Sequence, residues 1–155
     1  MQLISKKTKY ALHALMTLAG KRHNEPVRIS ALAARERIPQ KFLESILLEL
    51  KNKGLLHSKK GRGGGYRLAQ PAEAINLGDV IRALDGPLAP LSCLNRTAHR
   101  RCAECDDEAT CGLRAVMGEV RDATAAVLDG TSLAEMLRRA ELLELERRNV
   151  PMYTI

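Results

Sequence analysis

Residues 38–68 read IPQKFLESILLELKNKGLLHSKKGRGGGYRL, a helical pattern that runs directly into a basic, glycine-rich turn. Apolar residues three and four positions apart predict one buried face of a helix. The members of that face are Leu43, Ile46, Leu47 and Leu50. Pro39 suits the first helical position, where its missing N–H would be unpaired in any case, and Gly54 can end the helix after Lys53. We therefore predict a helix over residues 39–53.

The glycine-rich turn is predicted to connect two short strands. Residues 55–59 and 66–69 are the strand candidates, and the glycines between them permit positive φ. These glycines are Gly61, Gly63, Gly64 and Gly65. A phosphate-binding loop would need the spacing GxxxxGK[ST] between a strand and a helix, and neither that spacing nor the lysine is present. A flexible linker would not be followed by an alternating strand, so we predict a β-hairpin.

Two further helices are predicted before this stretch. The first covers residues 5–19, where Ser5 can cap the start and Gly20 can mark the end. Its apolar face holds Ala11, Ala14, Leu15 and Leu18. A short helix capped by Ser30 then runs to about Arg35, before a tight turn. A short helix, a turn, a second helix and a hairpin make a winged helix-turn-helix, so the prediction is a mainly α fold with a small β-hairpin wing. In such a fold the second helix enters the major groove of DNA.

Positive charge is concentrated in the same half of the chain. Residues 1–70 hold 15 Lys and Arg against 4 Asp and Glu, whereas residues 71–155 hold 10 against 14. A basic half joined to a mildly acidic half favours double-stranded DNA as a partner, and a solubilising surface is the alternative. Aromatic residues make up only 3% of the chain, which argues against a base-stacking platform for single strands.

The sequence shows no clear pattern of a membrane protein or of an enzyme. No apolar run reaches the length of a membrane span, and the start of the sequence lacks the apolar stretch of a signal peptide. We therefore expect a cytoplasmic protein with no membrane partner. The four histidines are scattered, and no Ser/His/Asp set, paired-carboxylate pocket or nucleotide loop is visible. We do not expect an enzyme, and a carrier of iron–sulfur clusters would not need the wing.

Polar residues at the start of the second helix are candidates for reading bases. Gln can pair with adenine, Lys with guanine, and Glu can accept from the amino group of cytosine. The candidates are Gln40, Lys41, Glu44 and Ser45. For Glu44 the alternative is a surface pairing with a positive residue one turn away. In the wing, Lys59, Lys60 and Arg62 are predicted to contact phosphates or the minor groove.

The second half of the sequence predicts a long apolar stripe on a helix. A short helix over residues 76–84, capped by Asn76, precedes a loop over residues 90–112. Apolar residues then step by three and four positions, a pattern typical of a homodimer interface. They are Leu113, Val116, Met117, Val120, Ala123 and Val127. Packing of this stripe on its own domain is the alternative.

A final helix is predicted after the stripe. Ser132 and Glu135 can form a capping box at its start. Its apolar face holds Leu133, Met136, Leu137 and Ala140. Together the patterns predict a DNA-binding domain over residues 1–85, a cysteine-bearing sensor loop over residues 86–112, and a dimerisation helix with a C-terminal helix over residues 113–155.

Four cysteines fall within 19 residues of this loop. They are Cys93, Cys102, Cys105 and Cys111. In a cytosolic chain such a cluster more often indicates metal or redox chemistry than structural disulfides. Thiolates at these spacings can hold a 2Fe–2S cluster, a 4Fe–4S cluster or zinc. A thiol switch is the remaining alternative, since nearby positive charge lowers the pKa of a thiol.

Taken together, the motifs resemble those of the Rrf2 family of bacterial winged-helix regulators. The resemblance is strongest over residues 38–84 and extends over nearly the whole chain. Its motifs are Pro-x-x-Phe-Leu-Glu from Pro39, Gly-Leu-Leu from Gly54, Gly-Gly-Gly-Tyr ending at Tyr66, Asp-Val-Ile from Asp79, Ser-x4-Tyr-Ala-Leu from Ser5 and Cys-x5-Cys-x-Leu-Arg from Cys105. The resemblance implies a homodimeric transcription factor that binds a partly palindromic operator, with Lys41, Glu44 and Ser45 facing the bases.

The resemblance also implies an iron–sulfur cluster in the cysteine loop. Cys93, Cys105 and Cys111 match the three cysteines that hold a cluster in the family. Where some members have a histidine as fourth ligand, three residues after the last cysteine, this chain has Arg114. Cys102 is then the natural replacement and His99 the second candidate. Binding, loss or oxidation of the cluster is expected to reorder the loop and change how the dimer meets its operator.

Overall fold

Six helices and one antiparallel hairpin make up the computed structural model, which describes residues 4–149. The helices are α1 Lys6–Ala19, α2 Ile29–Glu36, α3 Gln40–Asn52, α4 Leu77–Asp85, α5 Gly112–Asp129 and α6 Leu133–Asn149. The strands are β1 Leu56–Lys59 and β2 Gly65–Leu68. Single 3₁₀ turns cover Arg22–Asn24, Ala72–Ala74 and Ser92–Leu94. This order confirms the predicted mainly α fold with a hairpin directly after the second helix of a helix-turn-helix.

The core forms where α1, α3 and α4 meet. The four predicted apolar residues of α3 are fully buried, and so is the predicted face of α1. Leu32 of α2 and Leu56 of β1 close the same cluster. Because each buried leucine contributes roughly 1.5–3 kcal/mol to the free energy of unfolding, this core fixes the orientation of α3. The opposite face of α3 is left exposed.

The wing is anchored to the segment that precedes α2. β1 and β2 pair from Leu56↔Leu68 to Lys59↔Gly65. Val27 extends the sheet, because it exchanges two backbone hydrogen bonds with Tyr66, at 2.8 and 2.9 Å. At Gly65, which has φ 150°, a Cβ would lie 2.3 Å from the Val27 carbonyl oxygen. Glycine is therefore required there, and the wing is held at a fixed angle to the helix-turn-helix.

Several predicted caps differ in detail. Ser5 caps α1 as predicted, with its hydroxyl accepting from the Thr8 N–H at 3.1 Å. Ser30 lies inside the first turn of α2, whose N-cap is Arg28, because the bonds of Val27 to the wing start the helix earlier. Pro39 is the N-cap of α3 rather than its first residue. Asn76 is the N-cap residue of α4, but its side chain makes no capping bond.

The last helix returns to the N-terminal core. The Ser132 hydroxyl accepts from the Glu135 N–H at 3.1 Å, which is half of the predicted capping box. The Glu135 carboxylate bonds to Arg138 and Arg139 instead of closing the box. α6 packs on α1 and on the turn Ala72–Ala74. Leu133 is fully buried in the core cluster, whereas Ala140 is exposed. None of the helices within residues 4–149 is long and apolar enough to cross a membrane.

Candidate nucleic-acid interface and cysteine loop

The exposed face of α3 carries all four predicted base-reading residues. Gln40, Lys41, Glu44 and Ser45 are all exposed. Gln40 Nε2 donates to Glu44 Oε1 at 3.2 Å, so these two side chains form a polar pair one turn apart. The Ser45 hydroxyl donates to the Phe42 carbonyl at 2.8 Å and keeps its lone pairs available. The hydrogen-bond partner of Glu44 is thus the neutral side chain of Gln40. It is not a positively charged residue, which the alternative to base reading would require.

The turn of the wing presents the predicted basic residues to solvent. Lys59, Lys60 and Arg62 are all exposed. Gly61 has φ 86° and Gly63 has φ 72°, the positive values predicted for the turn. Gly64 differs, because its requirement is steric: a Cβ would lie 2.4 Å from the Lys59 carbonyl oxygen. The turn therefore projects three cations on a backbone that only glycines can form.

Two single substitutions should separate affinity from sequence preference. Lys60→Ala is expected to weaken binding to all DNA sequences and to lower the slope of log K against log salt by about 1, because one phosphate contact is lost. Glu44→Ala should relax sequence preference instead, because a base-reading acceptor is lost. Gel shifts on matched and mismatched operators at several salt concentrations measure both effects. An unchanged salt slope for Lys60→Ala would contradict its assignment.

The predicted stripe on α5 is uncovered in the single chain. Leu113, Val116, Val120 and Val127 are between 38% and 65% exposed. Ala123 is also exposed and Met117 is half-buried, and no residue of α5 is fully buried. An apolar stripe of this length on one helix is unusual for a surface that stays in water. Its assignment as the dimer interface remains a prediction.

The other side of α5 is tied to the DNA-binding part. The Arg82 guanidinium of α4 bonds to both carboxylate oxygens of Asp129, at 2.7 and 2.6 Å. A Cβ at Gly78 would lie 1.8 Å from Asp129 Oδ1, so glycine lets the end of α5 approach α4. Arg121 donates to the Leu94 carbonyl at 3.0 Å and so holds the turn that contains Cys93. The helix thus contacts both the cysteine loop and the DNA-binding domain.

Two of the four cysteines form a hydrogen-bonded pair. Cys105 Sγ and Cys111 Sγ lie 3.6 Å apart. Two thiolates bound to one tetrahedral metal at about 2.3 Å would lie about 3.8 Å apart, whereas a disulfide needs about 2.05 Å. Cys102 Sγ donates to Glu104 Oε2 at 2.9 Å, and Cys93 is buried in its turn against α5. The pair has the spacing of two ligands of one metal.

The complete predicted ligand set does not meet in one place. Within residues 4–149, no group of three His, Cys, Asp or Glu side chains is arranged to hold a metal ion. His99 Nε2 lies 3.0 Å from Glu108 Oε2, so this second candidate ligand is already paired. The backbone N–H of Arg114 donates to Cys111 Sγ at 3.4 Å. Bringing Cys93 and Cys102 to the pair would need a movement of the loop.

The two thiols of the pair differ in acidity. Cys111 is the N-cap of α5, and the Arg114 N–H followed by the Cys105 thiol holds the pKa of Cys111 below its ordinary value. The hydrogen bond to Cys111 raises the pKa of Cys105 to about 12, with a smaller contribution from Cys102. The first turn of α5 therefore favours a thiolate at Cys111.

In metal-free protein Cys111 should be alkylated before Cys105. The thiolate is the reactive form, and the lowered pKa of Cys111 beside the raised pKa of Cys105 gives Cys111 the larger thiolate fraction at a given pH. A limiting amount of iodoacetamide at pH 7, followed by peptide mass spectrometry, measures the order. Labelling after unfolding is the control, because it removes the helix and should bring the two rates together. Faster labelling of Cys105 in folded protein would contradict the prediction.

The sequence around some residues that support the site gives little indication of their structural role. Asn24 pairs through its side-chain amide with both backbone groups of Leu68, at 2.9 and 3.1 Å, and so braces β2. No pattern around Asn24 predicts that contact. Gly78 is different, since a glycine inside a helical pattern can indicate close packing. The Arg82–Asp129 pair joins residues 47 positions apart and leaves no local trace.

A comparison with protein families identifies the architecture. The family described as Rrf2, iron-dependent transcriptional regulator, matches residues 4–139. The chain belongs to the Rrf2 family. Its members are transcriptional regulators that bind DNA, so the exposed face of α3 and the wing belong to a DNA-binding protein and the chain is not an enzyme.

Individual Rrf2 relatives are similar to this chain over most of their length. An rrf2-like HTH-type transcriptional regulator from Rhodobacter capsulatus is 40% identical over 149 residues, covering 92% of this chain and 99% of the relative. The solved structure of CymR, the global cysteine regulator of B. subtilis, has a TM-score of 0.75 and 32% identity, covering 90% of this chain and 98% of CymR. IscR of T. potens has a TM-score of 0.69 and 28% identity, covering 88% and 87%. These structures confirm the winged-helix fold.

Proposed function

We propose that this Rrf2-family regulator is a cytoplasmic homodimeric repressor whose binding to a partly palindromic operator is controlled by an iron–sulfur cluster in the cysteine loop. The observation that carries the proposal is the Cys105–Cys111 pair, with 3.6 Å between its sulfurs, at the first turn of the exposed helix α5. A ligand at this pair acts directly on the helix assigned to the dimer interface. The family description, iron-dependent transcriptional regulator, supports the same proposal.

The ligands proposed for the cluster are the four cysteines, Cys93, Cys102, Cys105 and Cys111. Thiolates are the donors that such clusters require, and Cys105 with Cys111 already has a suitable spacing. When bound, the cluster would supply sensitivity to redox state and to iron supply. The chain's own part is to hold the thiolates: the Arg114 N–H stabilises Cys111, and Arg101 steadies the loop by donating to the Asp106 carbonyl at 2.7 Å.

Control of DNA binding is proposed to run through α5. A change at Cys111 alters the first turn of α5, and Arg121 connects the same helix to the turn of Cys93. At its other end, the Arg82–Asp129 pair transmits a tilt of α5 to α4 and the helix-turn-helix core. In a dimer that meets two half-sites, a small tilt changes the separation of the two α3 helices. Half-site spacing is sensitive to such a change.

A cysteine thiol switch is the second candidate for the controlling chemistry. The observation that favours it is the close pair in which Cys111 has a lowered pKa. A peroxide could oxidise the Cys111 thiolate to a sulfenic acid, and the Cys105 sulfur could then displace water from it to form the disulfide. Oxidation would need the sulfurs to close from 3.6 Å to about 2.05 Å. Zinc is the third candidate, since it takes thiolates at the same spacing. All three share the DNA-binding dimer and differ only in what the loop holds.

The test is a spectrum of protein purified without oxygen, with iron, sulfide and zinc quantified on the same sample. The cluster proposal predicts brown protein that contains iron and sulfide. Colourless protein with zinc would make the loop a zinc site. Colourless protein without metal, even after cluster reconstitution, would contradict the cluster and favour the thiol switch.

A further inference from the structure

Two large apolar side chains of α3 are exposed, but one of them, Phe42, packs edge-on against Tyr10 of α1. Leu48 is 52% exposed, although the four other leucine and isoleucine side chains of the helix that complete its apolar face are fully buried. The helix has no need of Leu48 for its core. Its neighbours toward the N-terminus of the same face are polar: Lys41, Glu44 and Ser45.

Helical spacing places Leu48 on the same face as the predicted base-reading residues, one turn beyond Glu44 and Ser45. Leu48 follows Ser45 by three residues, Glu44 by four and Lys41 by seven, so the four residues share one stripe of the helix. The buried face of α3 points into the core, and the stripe lies on the opposite side. Any surface that the polar residues of the stripe meet is also met by Leu48.

The chemistry of the major groove offers one apolar partner. The groove edge of thymine carries a C5-methyl group, while the other base edges there present hydrogen-bond donors and acceptors. A leucine has no group for a phosphate or a base edge, but it can cover a methyl group and exclude water from it. Its flanking Glu44 and Ser45 would keep neighbouring bases in register.

We propose that Leu48 is a specificity-determining residue that reads the C5-methyl group of a thymine in each half-site. The inference rests on the proposed operator contact of α3 and adds a base preference to it. It predicts a thymine at the position of the half-site that faces the middle of α3. Leu48 recognises that thymine by apolar contact.

A double-mutant cycle tests the inference: the Leu48 side chain and the C5-methyl group of each thymine are removed separately and together. Full-length protein first selects its operator from a random double-stranded library. Each thymine of one half-site is then replaced by deoxyuridine, which keeps base pairing and lacks only the C5-methyl group. Dissociation constants are measured for wild type, Leu48→Ala and the control Lys51→Ala, an exposed residue on the same helix.

One thymine should show an effect that depends on Leu48. At that position uracil should weaken wild type and Lys51→Ala about fourfold, the value expected for one buried methyl group. Leu48→Ala should bind the thymine operator at least fourfold more weakly than wild type and be indifferent to uracil. Unchanged thermal unfolding of Leu48→Ala would show that the fold is intact.

Two results would overturn the inference in different ways. Equal uracil effects in wild type and Leu48→Ala at every thymine would refute the role of Leu48 while leaving operator binding in place. Selection of no DNA sequence by wild type, in both the metal-loaded and metal-free forms, would refute the proposed operator contact itself.

Discussion

Replacing Val116 by glutamate is expected to convert the dimer into a monomer and to lower operator affinity by at least about 100-fold. Val116 is 59% exposed on the α5 stripe, and a partner helix that covers it would have to bury an unpaired carboxylate. A monomer engages one half-site at a time and loses the gain from linking two binding events, which is about 10²- to 10⁴-fold. Light scattering gives the mass, and gel shifts give the affinity.

Ala126→Glu is the matched control for Val116→Glu. Ala126 is exposed on the same helix but lies outside the stripe, so the added carboxylate stays in water. This variant should remain dimeric and bind its operator as wild type does. If both variants stay dimeric, the stripe is not the dimer interface. If both become monomers, the effect reflects added charge on α5 in general.

Replacing Cys105 by serine is expected to remove the cluster. A neutral hydroxyl takes the place of one thiolate of the 3.6 Å pair. Losing a direct ligand should cost more than losing an outer-shell partner, so iron and sulfide content should fall by at least about tenfold. Absorbance of the anaerobically reconstituted protein and metal analysis measure the loss. Retention of full iron and sulfide by Cys105→Ser would rule out this thiol as a ligand.

Thr110→Ala is the control for the cysteine variant. Thr110 lies beside Cys111 in the same loop, is exposed, and carries no thiol. It should keep the iron and sulfide content of wild type. If Thr110→Ala loses as much iron and sulfide as Cys105→Ser, then any change in the loop removes the cluster. The loss in Cys105→Ser would then not identify Cys105 as a ligand.

The parts of the fold that follow from local pattern were predictable from sequence. The face of α3 is an example, because four apolar residues at helical spacing can be buried only on one side. The end of that helix is another, since Gly54 takes φ 76° just after the C-cap Lys53. The glycine turn of the wing follows from the same logic. Lys60 and Arg62 are exposed in the turn, and Lys59 is exposed at the end of β1.

Features that depend on distant contacts were not predictable. The sequence pattern predicts Ser30 as the cap of α2, because serine is a frequent capping residue. In the structure the two bonds between Val27 and Tyr66 fix the backbone just before Arg28 and move the start of the helix. Glu135 likewise fits the capping-box pattern, but two arginines one turn later compete for its carboxylate. Local pattern cannot show which of several available partners a side chain takes.

The cysteine loop was the least predictable part of the candidate site. Spacing alone groups four cysteines, whereas the described residues show a hydrogen-bonded pair, Cys105 and Cys111, and no arrangement of three metal ligands. Cys102 is near enough to Cys105 to raise its pKa. The loop has no regular structure between the turn at Cys93 and the start of α5, so no periodicity relates its side chains in space. The prediction that all four cysteines bind one cluster therefore applies to a rearranged loop that holds the cluster.

We propose that the state of the cysteine loop sets the affinity for DNA. The most direct measurement compares the dissociation constants of the cluster-loaded and metal-free dimers for one selected operator, without oxygen and at one salt concentration. We expect a difference of about 10-fold or more, within the range of typical coupling between two sites. Equal affinities of two folded dimers would contradict it, because a ligand that binds both arrangements equally cannot shift their populations.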